Sequence, residues 1–95
     1  MTKKATTSDR LSLVVLSRAE YDVREELKKA RAAFPSNKQL LHAFVEEAGE
    51  VTKAFLDMQQ KKGDSAQTRK ELIQAAAMAM RLLEEGDPEF PEFTP

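Results

Sequence analysis

Apolar residues recur at steps of three and four along most of this chain, and Pro35, Gly63 and Gly86 cut the pattern into three runs. That spacing stacks side chains along one side of a helix, so an all-α architecture is predicted. Ser17 and Glu20 have the spacing of a capping box, and Ala19, Val23, Leu27, Ala30 and Phe34 then form a stripe that stops near Pro35. A second opening pattern at Ser36-Asn37-Lys38-Gln39 predicts a long helix over about 37–61. Its apolar arc is Leu40, Leu41, Phe44, Val45, Ala48, Val51, Phe55, Leu56 and Met58, and it ends before Gly63. Ser65 is the expected cap of a third helix through Glu85, striped by Leu72, Ala75, Ala76, Ala79, Met80 and Leu83 and stopped at Gly86.

This divides the chain into a loose polar terminus (1–10), one helical domain (11–86) and a tail (87–95). The run from Leu11 to Leu16 is ambiguous, short and β-branched like a strand yet too continuously apolar for simple alternation. The tail cannot be helical throughout because of Pro88, Pro91 and Pro95; it is expected to be a docked or frayed end without catalytic role, although Phe90 and Phe93 would gain from a groove. With 95 residues the core is small, and three striped helices leave apolar surface over. The predicted fold is therefore a bundle of three main helices completed by self-association, with dimer and tetramer not separated by the stripes.

Several functional classes are disfavoured at the outset. A net charge of -1 and 6% aromatic residues give no electrostatic or stacking footprint for nucleic acid. With no cysteine and the single His42, neither a thiolate nor a multi-histidine metal site can be built, so any bound metal is held by oxygen. Leu11 to Leu16 is far shorter than a membrane span and lacks a signal-peptide cleavage pattern, so a cytoplasmic protein without membrane partners is expected.

The chemistry is concentrated in the second helix. Glu46, Glu47 and Glu50 are neighbours at three- and four-residue spacing and repel one another. Glu47 sits at the edge of the apolar arc, where packing will partly bury it. Such burial is costly for a lone anion and favourable beside a divalent cation. Glu71 on the third helix repeats this placement between Ala75, Met78 and Leu82. The small and adaptable side chains from Ala75 to Met80 allow close helix approach, which would gather both sets of carboxylates into an anionic notch suited to Mg²⁺, with phosphates completing its shell. The competing reading is an ordinary solvated face in a chain that is 33% charged.

The block Glu46-Glu47-Ala48-Gly49-Glu50, followed by Glu71 on the next helix, resembles the EExxE and ExxD motifs of the MazG-like all-α nucleoside triphosphate pyrophosphohydrolases. The likeness runs from about Glu26 to Pro88. It implies a helical dimer or tetramer that hydrolyses a nucleoside triphosphate to the monophosphate and pyrophosphate with Mg²⁺, or Mn²⁺ in its place. It also implies metal ligation by Glu47, Glu50 and Glu71. One position departs: where the family has aspartate this chain has Gln74, a neutral and weaker oxygen ligand, which points to either a higher Mg²⁺ requirement or a nucleotide-binding or assembly protein with reduced or no activity.

In the enzymatic reading Glu46, adjacent to the ligands and turned towards Glu50, is the candidate base for a water attacking near the α-phosphate; the alternatives are a further metal ligand or an exposed surface carboxylate. Lys53, one turn after Glu50, and then Arg81 are the candidate phosphate-binding cations, although Lys53 could equally serve only to offset Glu46 and Glu50. His42 lies one turn before Glu46, within reach of it or of a substrate base, although a histidine so placed is more often a satisfied interface residue. Phe34, Phe44 and Phe55 are assigned to the core.

Overall fold

The computed structural model describes residues 15–95. It contains α1 (Arg18–Ala33), α2 (Leu40–Gln59) and α3 (Ser65–Glu85), and no strand among the described residues. The expectations for 1–10, and for Leu11 to Val14 of the ambiguous run, lie outside the described residues.

The capping box forms as predicted. Glu20 N–H donates to Ser17 Oγ at 3.1 Å, and Ser17 N–H donates to Glu20 Oε1 at 2.7 Å. The other two starts differ from expectation. Asp64, not Ser65, caps α3, its carboxylate accepting from Gln67 N–H at 2.8 Å. Ser36 does not open α2, because its hydroxyl accepts from Lys38 N–H at 3.1 Å in a turn of its own. Gln39 is then left-handed (φ 61°), and the helix begins at Leu40 with no side-chain cap from the residue before it.

α3 is the central helix, packed on α1 and on α2. The α2–α3 pair is antiparallel: Thr68 Oγ1 near the start of α3 donates to Ala54 O near the end of α2 at 3.3 Å. α1 runs parallel to α3, with Arg69 on Asp22 at 2.8 Å at one end and Arg31 on Glu85 at 2.6 Å at the other.

Steps of four and three along α2 give Leu40, Phe44, Glu47, Val51, Ala54 and Met58, all buried or half-buried. The matching repeat on α3 is Thr68, Glu71, Ala75, Met78 and Leu82. Glu47 and Glu71 therefore occupy positions in the helix-packing seams, and both residues are half-buried.

The apolar arc predicted for α2 is only half used. Leu41, Val45 and Phe55 lie one residue, or about 100°, further round, and remain exposed, Val45 at 58%. Leu72 and Leu83 of α3 are exposed as well, Leu83 at 69%. Among the described residues the buried apolar side chains are Leu27, Leu40, Ala54, Ala75 and Ala77. So few covered apolar side chains, three of them alanines, are too small a set to close a core.

Candidate functional site

Across the first half of α2 opens a cleft of about 750 Å³. Its lining combines apolar Phe34, Leu40, Ala43 and Met78 with charged Glu46, Glu47, Glu50 and Lys53. Glu47 also lines a smaller pocket of about 240 Å³ together with Glu26 of α1 and Gln74 of α3.

Glu47 is half-buried where the three helices meet. Its pKa is raised, first by burial and then by repulsion from Glu71, Glu50, Glu26 and Glu46. Four glutamates from three helices thus act on one half-buried carboxylate, and no cation pairs with it among the described residues. Glu71, although close enough to repel Glu47, is held by its own helix: Gln67 Nε2 donates to it at 2.7 Å. Among the described residues no three acidic or histidine side chains stand close enough together to grip a cation as they are. The donor chemistry fits a hard divalent ion, all oxygen and net anionic, while the side chains of Glu47, Glu50 and Glu71 are not gathered into a finished cage.

The other predicted residues divide. Glu46 and His42 are exposed at the rim, with His42 Nε2 3.7 Å from Glu46 Oε2, too far for a hydrogen bond. Lys53 reaches the cleft, yet its main partner is Asp57 at 2.7 Å, whose hydrogen bond raises the lysine pKa ahead of the weaker pull of Glu50.

Arg81 is corrected. Only 1% exposed, it spends its guanidinium inside the protein. Nε donates to both Glu85 oxygens at 3.0 Å, Nη1 to Ala30 O at 3.3 Å, and Nη2 to Phe34 O at 2.6 Å and Ser36 O at 3.0 Å. It ties the end of α1 and the following loop to α3, and so shapes the cleft wall instead of offering a free phosphate-binding fork. Arg81 lies one residue before Leu82 of the repeat packed on α2, and its guanidinium instead meets the end of α1 and the loop after it.

Phe34 is corrected too. It is 72% exposed at the cleft, beyond the last turn of α1, not in the core. Glu26 was missed as part of the acidic group; its place one residue before Leu27 and one turn before Ala30, at the border of the buried stripe, is the signal that could have found it.

No family model, curated protein or solved structure matches this chain. The functional reading therefore rests on the residues and their arrangement.

Among the described residues no helix is long and apolar enough to cross a membrane.

Proposed function

We propose that the cleft binds a nucleoside triphosphate with Mg²⁺ and hydrolyses it to the monophosphate and pyrophosphate. The observation that carries this is Glu47: a half-buried carboxylate, pressed by four other glutamates and lacking a counter-ion among the described residues, at the wall of a cleft of ligand size. An anion so placed is unfavourable in the free protein and becomes favourable once a dication joins it. The likeness to MazG-like proteins supports the same reading.

Glu47, Glu50 and Glu71 would hold the ion, with the Gln74 carbonyl as a fourth, neutral donor and Glu71 released from Gln67. When bound, Mg²⁺ would supply charge compensation for the triphosphate and its leaving group. Glu46, exposed beside them, takes a proton from the attacking water; oxygen adds at the α-phosphorus, the bond to the β-phosphate oxygen breaks, and pyrophosphate departs. Lys53 turns from Asp57 to the phosphates, and the apolar part of the lining, Phe34 included, receives the base. Arg81 contributes from behind by fixing the Phe34 and Ser36 carbonyls. A cytoplasmic site of action belongs to this reading.

A second reading, a nucleotide-binding or assembly protein with weakened or no catalysis, is favoured by Gln74 and by the ungathered carboxylates. Gln74→Asp separates the two. Pyrophosphate release that rises in this variant supports a charge-poor metal site; an inert wild type and an inert variant support the second reading.

The protein is further proposed to work as a homodimer or homotetramer. Leu41, Val45 and Phe55 on α2 and Leu72 and Leu83 on α3 repeat at helical spacing on residues left exposed, as a two-fold packing of identical helix pairs requires.

A further inference from the structure

Asp87 is a charged side chain buried to 1% exposure, outside every role described so far. Its Oδ2 accepts from Leu41 N–H at 3.0 Å, and its Oδ1 from Glu89 N–H at 2.9 Å. Hydrogen bonds from the backbones of Glu89, Leu41, Leu40 and Gln39, in that order apart from an opposing effect of burial, hold its pKa below the usual carboxylate range. The carboxylate therefore stands where an N-cap would stand on α2, a helix whose own preceding residue provides none.

The tail is built to deliver it. Gly86 turns the chain with φ 69°, and a Cβ there would lie 2.5 Å from Thr94. Thr94 Oγ1 accepts from Asp87 N–H at 2.9 Å and donates to Asp87 O at 2.7 Å, closing the tail into a ring of hydrogen bonds. The arrangement is reciprocal: Asn37, from the loop before α2, donates to Glu85 O at the end of α3 at 3.0 Å. Each helix is thus finished by the segment adjoining the other.

The first turn of α2 is also cleft wall, since Leu40, His42 and Ala43 line it and Glu46 and Glu47 follow one turn on. From this we infer that Asp87 is a positioning residue, acting from the tail to anchor the cleft-lining end of α2 and so to hold the acidic helix in register with α3. Its bearing on ligand rests on the proposed function; its bearing on α2 does not.

The test compares full-length wild type, Asp87→Ala and the nearly isosteric Asp87→Asn by amide hydrogen exchange and by the ring signals of His42, the only histidine. A lost cap predicts exchange at Leu41 and His42 faster by about fivefold to tenfold in Asp87→Ala. The Asn variant should be intermediate, the His42 signals shifted, and Ala75 and Ala77 unchanged. Titration with ATP and Mn²⁺ should show weaker binding in the same order. Exchange at Leu41 equal to wild type, or a uniform acceleration across all helices in both variants, overturns the inference. A wild type that binds neither Mn²⁺ nor ATP instead removes the proposed function, and the exchange data still decide whether Asp87 anchors α2.

Discussion

Glu47 and Arg81 show how the same burial gives opposite outcomes for two charged side chains. Arg81 was removed from water together with acceptors for its fork, the Glu85 carboxylate and three carbonyls. Arg81→Leu leaves those groups unpaired and should destabilise the fold by roughly 3 kcal/mol or more in urea unfolding; Arg81→Lys should recover little, because an ammonium cannot span the fork. Glu47 was half-buried against like charge, so its folded pKa is raised. The native state then takes up this proton before the unfolded chain does, and the strain from Glu47 is relieved as pH falls through its raised folded value. Glu85 and Asp87, both lowered, run the other way and lose their stabilising effect as pH falls through their folded values. Glu47→Gln should raise the melting temperature of the metal-free protein at neutral pH by about 2–4 °C, equivalent to ~0.5 kcal/mol in a domain this small, and abolish Mn²⁺ binding. A lower melting temperature, or undiminished Mn²⁺ binding, would refute the role given to this carboxylate.

The helices themselves were readable because local chemistry decides them. The Ser17–Glu20 box needs only a four-residue span, and Gly86 ends α3 where predicted. The starts of α2 and α3 were not, for two different reasons. Asp64 and Ser65 are adjacent residues of similar capping power, and only backbone geometry chooses between them. The cap of α2 comes from Asp87, 46 positions away in sequence, which no local pattern can reveal. The same limit applies to Arg81 and Phe34: periodicity named the stripe on each helix, but not which neighbour would cover which side. Periodicity did place Glu47 and Glu71 at the stripe borders, and there the structure puts them half-buried, with Glu71 among the charges that act on Glu47.

Taken together, the three helices bury few apolar side chains and expose many, including Val45, Phe55, Leu72 and Leu83. A face this apolar is accounted for by a second copy of the chain in the proposed assembly, each large side chain contributing about 1.5–3 kcal/mol when fully covered. Val45→Glu with Leu72→Glu should convert the assembly to monomer in analytical ultracentrifugation while leaving helical circular dichroism in place; an unchanged mass would show that this face is not the contact. The cleft, the acidic group and the tail all meet around the first half of α2, so the whole account depends on what that helix binds. The deciding measurement is pyrophosphate release from a panel of nucleoside triphosphates with Mg²⁺ or Mn²⁺. Release by the wild type, lost in Glu47→Gln and increased in Gln74→Asp, is the predicted result; no release from either the wild type or Gln74→Asp with any triphosphate would contradict it.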